Sequence, residues 1–384
     1  MTSLNDSPQR TDVVVIGAGI AGASVAYWLA PHLRVVLLER ESQPGYHSTG
    51  RSAALYMASY GSAQVRALTR ASLAFYTAPP PGFADHPLLS PRGAMMVATP
   101  EQMPELEAHW AMLSPINPLA QRLDSAAACA RVPVLRPACV AGAVYEPDAA
   151  DMDVHAIHQG FLRGVRRHGG QLVCGAEVTA LRRDGAVWEV QTRNGRWQAP
   201  LVVNAAGAWA EVVGQLAGAA PIGLVPKRRS AFVFRPPADL AVSDWPLVFG
   251  AAEDWYIKPD AGVLLGSPAN ADPVPPQDVQ PEELDIALAM HRIGEMTTLQ
   301  ATRPLRTWAG LRSFVADGGL VGGFDTQAEG FFWVAGQGGY GIQTAPAMGE
   351  ACAALLRGMP LPGPIAAEGL AAADLGPARL VAQD

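Results

Sequence analysis

The sequence predicts an α/β fold in which a domain built on a parallel sheet is interleaved along the chain with a domain built on an antiparallel sheet. Three observations support this prediction. An apolar β-branched strand, a glycine-rich turn and a small-residue helix occupy residues 12–30, and the same order returns at residues 331–356. Between these units, residues 226–268 alternate apolar and polar positions around turn residues, which is typical of antiparallel strands. Because both ends of the chain contribute the same kind of unit, we expect both domains to be discontinuous.

The first unit carries the pattern G-x-G-x-x-G at Gly17, Gly19 and Gly22, between a strand and a helix. The first glycine allows a tight turn, the second lets a pyrophosphate approach the backbone, and the third lets the helix pack close to its strand. The next strand, at residues 34–38, ends in Glu39, where an acidic residue accepts hydrogen bonds from an adenosine ribose. These features predict a Rossmann-like domain that binds a dinucleotide at the start of the helix.

The composition argues against several other classes of protein. The 384 residues are 49% hydrophobic, which is enough for a large core, and the net charge of −7 disfavours nucleic acid as a partner. The four cysteines show no metal-binding or redox spacing, so we expect reduced thiols and no metal site. No apolar signal segment and no run of ~18 apolar residues is found in the sequence. We therefore expect a cytoplasmic protein without a transmembrane segment.

Local patterns predict the remaining elements. Residues 152–168 place apolar side chains at helical spacing, with Asp151 as a possible cap and Gly169 after the last turn. Residues 259–262 read Pro-Asp-Ala-Gly, which predicts a hairpin turn. Further predicted elements are helices at 64–76 and 281–296, a short strand and a helix within 95–123, strands at 171–174, 177–181 and 187–192, a buried strand entering a glycine turn at 201–210, and a loose tail at 369–384.

The number of nucleotide fingerprints indicates which dinucleotide is bound. Flavoenzymes that a nicotinamide cofactor reduces often carry two fingerprints, and this sequence has one complete copy. We therefore predict a single bound FAD that the substrate reduces directly.

Three longer segments resemble the D-amino acid oxidase superfamily in sequence and in order. They are GYHSTGRSAA at 45–54, VNAAGAW at 203–209 and GQGGYGIQTAPAMGE at 336–350. The strings PKRRSAF at 226–232 and TWAGLRSFVADG at 307–318 are similar to FAD-dependent D-arginine dehydrogenases, a group of D-amino acid dehydrogenases within that superfamily.

The predicted fold is therefore a Rossmann-like FAD-binding domain of the D-amino acid oxidase type, interleaved with an α+β substrate domain that contains the antiparallel sheet. The predicted division of the chain is a FAD-binding domain at 11–84, 146–222 and 304–370, a substrate-binding domain at 85–145 and 223–303, and tails at 1–10 and 371–384.

The resemblance implies a set of FAD-binding residues in the loops that follow the strands. Besides Gly17, Gly19, Gly22 and Glu39, this predicted set comprises Ile20, Ala21, Arg40, Ser48, Thr49, Arg51, Ser52, Ala53, Val178, Ala206, Gly207, Gly338, Tyr340, Gly341 and Ile342. Some relatives attach their flavin covalently through a cysteine. Because no cysteine here matches such a motif, we predict non-covalent FAD.

Flavin oxidation of an amino acid requires a cation for the carboxylate, a hydride path from Cα to flavin N5 and an uncharged amine. Arg312 lies between Leu311 and Ser313, so a clamp for a carboxylate is a better interpretation than a surface salt bridge. Arg229 shares a strand face with apolar residues and is predicted to point inward, whereas Lys227 and Arg228 are expected to be solvated.

Four other residues complete the predicted catalytic set. Tyr256 either reaches the same carboxylate or belongs to the core. The resemblance implies that Tyr60 lies on a mobile loop, residues 55–61, that closes over the substrate and excludes water. It also implies that Gly339 and Gln343 lie beside the flavin and substrate.

Departures from the D-arginine dehydrogenases indicate the substrate. Ala94 replaces the glutamate that binds a guanidinium in those enzymes, and a buried cation without its counter-charge typically costs several kcal/mol. Leu55 replaces a histidine that handles the amine, so no base for the amine is identified. Together with Met57, Leu247 and Phe249, these residues predict an apolar pocket for neutral, hydrophobic D-amino acids.

The predicted activity is oxidative deamination of such D-amino acids to an imino acid, which hydrolyses to a 2-oxo acid and ammonia. The resemblance implies a quinone or a dye as electron acceptor, while direct use of O2 would make the enzyme an oxidase. Two alternatives stay open. One is a secondary-amine oxidase of the sarcosine or glycine oxidase type, and the other is a non-catalytic FAD-binding protein.

Overall fold

The computed structural model describes residues 7–300 and 303–380. The strands are, in chain order, β1 (Gln9–Arg10), β2 (Val13–Ile16), β3 (Val35–Leu38), β4 (Leu55–Tyr56), β5 (Leu89–Pro91), β6 (Ala94–Ala98), β7 (Gln121–Asp124), β8 (Gly142–Glu146), β9 (Ala150–Met152), β10 (Gln171–Val173), β11 (Val178–Asp184), β12 (Val187–Thr192), β13 (Gly195–Ala199), β14 (Leu201–Asn204), β15 (Val225–Phe234), β16 (Leu247–Gly250), β17 (Tyr256–Asp260), β18 (Val263–Ser267), β19 (Asp272–Pro273), β20 (Arg306–Phe314), β21 (Val321–Phe324) and β22 (Phe331–Ala335). The helices are α1 (Ile20–Leu29), α2 (Ala63–Thr77), α3 (Met103–Leu113), α4 (Ser125–Arg131), α5 (Val154–Arg167), α6 (Ala210–Ala217), α7 (Glu283–Met296), α8 (Gly341–Leu356), α9 (Gly363–Ala366) and α10 (Ala372–Leu375).

A six-stranded sheet forms the centre of the first domain, in the order β10-β3-β2-β14-β22-β21. Its strands are parallel except for β21, which runs antiparallel to β22. The strands β2, β3 and β22 are buried along their whole length, as expected for a parallel sheet that is covered on both faces. The helix α1 packs against α8 and α5. The predicted α/β fold with a Rossmann-like unit is confirmed.

A nine-stranded sheet supports the second domain. Its strands follow the order β19-β15-β18-β17-β16-β6-β8-β7, where β19 and β18 pair with different parts of β15, and β20 also pairs with β15. The pairing of β15 with β20 is antiparallel and runs from Val225 opposite Phe314 to Val233 opposite Arg306. The predicted boundary at residue 304 therefore needs correction, because it assigns β20 to the FAD-binding domain although its hydrogen bonds join it to the substrate sheet.

Both predicted tails contain ordered residues. In the four-stranded sheet β1-β13-β12-β11, residues 9–10 pair in parallel with β13, while residues 1–6 lie outside the described residues. Near the other end, α10 buries Leu375, and Arg379 forms an ion pair with Asp317 at 2.7 Å. The expectation of a loose tail at 369–384 is therefore wrong as far as residue 380, since burial and charge pairing hold this segment, and residues 381–384 lie outside the described part.

The predicted helices agree closely with α2, α5 and α7. The apolar stripe of α5 is buried, but its N-cap is Asp153 rather than Asp151, and the Asp153 side chain accepts a hydrogen bond from the backbone N of Ala156 at 2.8 Å. Asp151 lies instead in β9, within the small three-stranded sheet β4-β9-β5.

Candidate active site

A long cleft opens where β2, β3 and β14 end and the glycine-rich turn begins. Its walls come from the turn before α1, the loop 45–49, the start of β11 and the turn after β14. The predicted cofactor residues that line this cleft are Gly17, Gly19, Ile20, Ala21, Glu39, Arg40, Ser48, Thr49, Val178, Ala206, Gly207 and Gly338. This is the position in which open α/β sheets bind ligands, outside the carboxyl ends of their strands.

The glycine-rich turn requires glycine for steric reasons. Gly17 has φ +98, and a Cβ there would lie 2.4 Å from the carbonyl oxygen of Ala205. A Cβ at Gly22 would lie 1.8 Å from the carbonyl oxygen of Gly17. Gly22 does not line the cleft, so it serves the close approach of α1 to the turn. Since the first N–H groups of a helix lack intrahelical partners, the start of α1 is a suitable place for an anionic ligand.

Replacing Gly17 by alanine is expected to prevent stable FAD binding. The added Cβ meets the Ala205 carbonyl and forces a left-handed backbone on a residue with a side chain, which together cost about 3 kcal/mol or more. The flavin-to-protein absorbance ratio of the purified protein and its Tm measure the effect.

Gly218 provides a matched control, because its φ is +66 and a Cβ added there would meet no described atom within 4 Å. Gly218→Ala is expected to lower Tm slightly and to retain flavin. A Gly17→Ala protein that keeps the wild-type flavin ratio would contradict the steric argument.

Glu39 is buried at the end of β3 and organises the turn. Its Oε2 accepts a hydrogen bond from the backbone N of Ala18 at 2.9 Å, and its Oε1 accepts one from the backbone N of Glu41 at 3.0 Å. Each carboxylate oxygen has a second lone pair, so Glu39 can still accept bonds from ribose hydroxyls. Beside it, the Arg40 guanidinium carbon lies 4.7 Å from the ring centroid of Trp209.

The loop 45–53 carries three predicted cofactor residues whose side chains contact the protein. Thr49 Oγ1 accepts a hydrogen bond from the backbone N of Ile20 at 3.0 Å, and Ser48 Oγ donates one to the carbonyl of Leu311 at 2.7 Å. Arg51 does not line the nucleotide cleft. Its Nη1 donates to the carbonyls of Val279 at 3.2 Å and Ala309 at 3.1 Å, and its guanidinium also pairs with Asp278. Arg51 therefore connects the loop to the substrate sheet.

A middle cavity connects the nucleotide cleft with a third cavity in the second domain. It shares Ser48 and Thr49 with the cleft, and it shares Arg229, Tyr256 and Arg312 with the third cavity. The predicted residues Arg51, Ser52, Ala53, Gly339, Gly341 and Ile342 also line the middle cavity. The three cavities thus form one path from the glycine-rich turn to a pair of arginines, which fits an extended dinucleotide with its reactive end at the arginines.

The two arginines come from neighbouring strands. Arg229 of β15 is opposite Gly310, while Arg312 of β20 is opposite Lys227, so both guanidinium groups belong to one face of the sheet. Arg312 Nη1 donates a hydrogen bond to Tyr60 Oη at 3.0 Å. The Nε of Arg229 is buried without a hydrogen-bond partner in the described part of the chain.

The electrostatics of this pair favour an anion. Burial and the charge of Arg312 lower the pKa of Arg229 to about 10. Burial also acts to lower the pKa of Arg312, but the interactions with Tyr60 and Tyr256 outweigh it and raise that pKa. Neither guanidinium forms a salt bridge with a carboxylate of the described residues. A carboxylate ligand would compensate both half-buried charges.

The surroundings of the neighbouring Arg228 differ from those predicted. The sequence predicts a solvated side chain, but the residue is only 8% exposed. Its guanidinium pairs with Asp285 at 3.2 Å, with Asp272 at 3.4 Å and with Glu282. The reason is that α7 packs near this face of β15 and brings its acidic first turn to Arg228. Lys227 is half-buried, with Nζ 5.3 Å from the ring centroid of Phe314.

The third cavity has a largely apolar wall. Leu55, Met57, Leu247 and Phe249 line it, and Tyr60, Gly339 and Tyr340 lie at the arginine end. The remaining predicted pocket residue, Ala94, does not line the cavity, because it is buried behind this wall, where it packs with Met57 and other apolar residues. Residues 55–56 form β4, so the loop that carries Tyr60 comprises residues 57–61, which we call the Tyr60 loop.

Sequence reasoning missed several residues of this cavity. His109 and Met112 of α3 line it, together with Arg66, Glu253 and Trp255. Burial lowers the pKa of His109 to about 4, so its imidazole is neutral near pH 7. The helical pattern of residues 103–113 could have suggested that one face is buried, but not that it faces this cavity.

Gln343 does not line any of the three cavities. Its Oε1 accepts a hydrogen bond from the backbone N of Met57 at 3.4 Å, and its Nε2 donates to Thr69 Oγ1 at 2.9 Å. Gln343 therefore contacts the start of the Tyr60 loop and positions it, rather than touching a ligand. Tyr60 itself also packs edge-on against Tyr340, with ring centroids 4.9 Å apart.

No helix in the described ranges is both long and apolar enough to cross a membrane. Within the same ranges, no group of three or more His, Cys, Asp or Glu side chains could hold a metal ion.

The chain matches the family model DAO, described as FAD dependent oxidoreductase, over residues 12–355. It therefore belongs to the DAO family of FAD-dependent oxidoreductases, and FAD is its cofactor. The cleft fits this cofactor, because the glycine-rich turn and the start of α1 line it and each carboxylate oxygen of Glu39 keeps a second lone pair for a ribose hydroxyl.

Glycine oxidase of Geobacillus kaustophilus (strain HTA426) is 25% identical over 356 residues, which cover 88% of this chain and 91% of the relative. Mitochondrial dimethylglycine dehydrogenase of Rattus norvegicus is 25% identical over 269 residues, or 67% of this chain. The matched region is 31% of that enzyme, so the chain spans about a third of its length.

Solved structures share the whole architecture. The glycine oxidase from Geobacillus kaustophilus has a TM-score of 0.80 at 24% identity, over 91% of this chain and 95% of the other. The L-proline dehydrogenase from P. horikoshii has a TM-score of 0.81 at 22% identity, over 93% and 96%. These likenesses confirm the predicted fold class.

Proposed function

We propose that this protein is a D-amino acid dehydrogenase that oxidises neutral, hydrophobic D-amino acids to imino acids, which water converts to 2-oxo acids and ammonia. The observation that carries the proposal is the pair of half-buried arginines, Arg229 and Arg312, at the junction of the cofactor path and a cavity with one apolar wall. The resemblance of the strings around both arginines to D-arginine dehydrogenases supports the D configuration.

The two arginines and Tyr60 would bind the substrate carboxylate. A guanidinium offers two parallel N–H donors that match the two oxygens of a carboxylate. Arg312 already holds Tyr60 Oη at 3.0 Å, so the tyrosine O–H is free to donate to the same ligand. Binding at this end fixes the orientation of the substrate α-carbon.

The bound FAD supplies an acceptor for the hydride of the substrate α-carbon. The protein residues that would hold it are those of the nucleotide cleft and the middle cavity, with Gly338 and Gly339 beside the arginines. The Tyr60 loop and Tyr340 cover the arginine end and would exclude water from the reacting carbon.

The side-chain end of the cavity favours an uncharged group. The wall is formed by Leu55, Met57, Leu247 and Phe249. The charged lining residues are three arginines and one glutamate, namely Arg66, Arg229, Arg312 and Glu253. This excess of positive charge opposes a cationic side chain, because like charges in a poorly solvated cavity repel strongly.

Anaerobic titration of the FAD-loaded protein tests the proposal. We expect D-leucine to bleach the visible band of oxidised flavin and L-leucine to leave it unchanged. Bleaching by L-leucine but not D-leucine would contradict the assigned configuration.

A secondary-amine oxidase of the glycine or sarcosine type is the second candidate, because glycine oxidase and dimethylglycine dehydrogenase are among the relatives. In that case glycine or sarcosine would bleach the flavin and D-leucine would not. A non-catalytic FAD-binding protein would respond to none of these compounds.

The electron acceptor is proposed to be a quinone or an artificial dye, and rapid reoxidation of the reduced flavin by air would instead indicate an oxidase. Non-covalent attachment of FAD, the cytoplasmic location and the remaining domain boundaries stay predictions.

A further inference from the structure

A buried carboxylate lies behind the Tyr60 loop, outside the three cavities. Glu146, at the end of β8, is 3% exposed and is opposite Ala94 of β6. Neither the glycine-rich turn nor the arginine pair needs this group. A buried ionisable residue without a partner cation is costly, so its contacts indicate what it does.

Glu146 contacts the backbone of the Tyr60 loop. Its Oε1 accepts hydrogen bonds from the backbone N of Ala58 at 2.9 Å and from the backbone N of Ser59 at 3.4 Å. Its Oε2 is buried and has no hydrogen-bond partner in the described ranges. One carboxylate oxygen therefore pairs two successive N–H groups that would otherwise be buried and unsatisfied.

The residue that follows these two N–H groups is Tyr60, which accepts a hydrogen bond from Arg312 and packs on Tyr340. The loop is thus held at two places, since Glu146 binds its backbone and Arg312 binds the side chain of Tyr60. Gln343 holds the start of the loop through Met57. Displacement of the Glu146 contact would move Tyr60 away from the guanidinium.

We propose that Glu146 is a positioning residue that holds the Tyr60 loop closed over the arginine pair. The inference rests on the proposed function for the identity of the ligand beneath the loop, but the hydrogen bonds to Ala58 and Ser59 do not depend on it.

The charge of Glu146 gives the contact a pH dependence. Burial raises the pKa of Glu146 to about 7, hydrogen bonding from Ser59 and Ala58 opposes this shift, and the charge of Asp148 adds to it. Tyr56 is a further titratable group that interacts with Glu146. Because the loop contributes to the burial, opening it would hydrate the carboxyl and return its pKa towards the ordinary value of 4.5.

Protonation of Glu146 favours the closed loop. The closed loop binds the proton more tightly than the open loop, so closure is fully favoured below the ordinary pKa and is weakened as pH rises through about 7. Between these two values, the opening equilibrium is expected to increase by up to about tenfold per pH unit, and above about 7 it levels off at its highest value.

Hydrogen exchange of the FAD-loaded protein, followed by mass spectrometry on peptides covering residues 55–62, tests the proposal without substrate. For the wild type we expect protection of the 58 and 59 amides to fall as pH rises to about 7, after correction for intrinsic exchange rates. In Glu146→Gln the amide oxygen still accepts both hydrogen bonds and carries no charge, so protection is expected to persist without this pH dependence.

Glu146→Ala removes the acceptor and is expected to lose protection at every pH, by about tenfold.

Glu350→Gln is the matched control, since burial also raises the pKa of Glu350 but its side chain lies on α8 away from the loop contacts. It is expected to behave as wild type. The proposal is overturned if Glu146→Gln retains the wild-type pH dependence. If Glu146→Ala does not fold, the Glu146→Gln comparison alone decides.

A second readout separates this inference from the proposed function. The 2-oxo acid derived from leucine is titrated into wild type and Glu146→Gln at pH 8.5, and the flavin spectrum reports binding. We expect the variant to bind more tightly, because its closed loop no longer buries an ionised carboxyl. Absence of 2-oxo acid binding in both proteins would overturn the proposed function, while the exchange data would still decide the role of Glu146.

Discussion

Arg312→Lys is expected to lower kcat/KM for D-leucine by roughly 100-fold, mainly through KM, because a lysine keeps the charge but loses the bidentate fork. The Arg312 side chain donates a hydrogen bond to Tyr60 and lines both the middle cavity and the third cavity. A lysine ammonium cannot hold Tyr60 and both carboxylate oxygens in one plane. Steady-state kinetics with D-leucine and binding of the corresponding 2-oxo acid measure the loss.

Arg228→Lys is the matched control for this prediction. Arg228 lies on β15, next to Arg229, but its guanidinium pairs with acidic residues near α7 and does not line the third cavity. The same chemical change there is expected to alter kcat/KM by less than about threefold, since it touches no ligand. Equal losses in the two variants would mean that the effect of Arg312→Lys comes from the stability of the sheet rather than from the clamp.

Ala94→Glu is expected to shift the preference from D-leucine towards D-arginine by roughly 100-fold in the ratio of kcat/KM values. In the wild type, Ala94 is buried behind the apolar wall, and the cavity carries more positive than negative lining residues. We therefore expect the wild type to prefer D-leucine, D-methionine and D-phenylalanine to D-arginine. A carboxylate at position 94 would restore a counter-charge for a guanidinium.

Ala94→Gln separates charge from size, because glutamine has nearly the same volume as glutamate and no charge. It is expected to lower activity with all substrates without favouring D-arginine. The new glutamate would lie opposite Glu146, and two carboxyls at such a cross-strand position repel. The shift in preference from D-leucine towards D-arginine is therefore expected to be greater at higher pH, where a glutamate at position 94 ionises in spite of this repulsion. A wild-type preference for D-arginine, or equal shifts in both variants, would contradict the substrate assignment.

The parts of the fold that sequence could predict depend on local pattern. The strand, glycine turn and helix around Gly17 follow from the steric needs of three glycines and from an unbroken apolar strand. The helix α5 follows from its apolar stripe. Each of these signals lies within about 20 residues of sequence, which is the range over which periodicity is informative.

The errors concern residues whose surroundings come from distant segments. Arg228 looked solvated because no acidic residue is near it in sequence, yet the first turn of α7 lies against it. His109 and Met112 were missed because the docking of α3 decides which cavity they face. Glu146 gave no signal at all, since its burial depends on the Tyr60 loop and on β6.

The interleaving of the two sheets limits how such an enzyme can change its substrate. The parallel sheet takes strands from both sides of the segment that forms β6, β7 and β8, and the substrate sheet resumes only after β14. No single crossover between two related genes can therefore exchange one complete sheet for another. Exchange of a whole sheet would need several crossovers, so substitutions in or behind the cavity wall, at positions such as 247 and 94, are the simpler route to a new specificity.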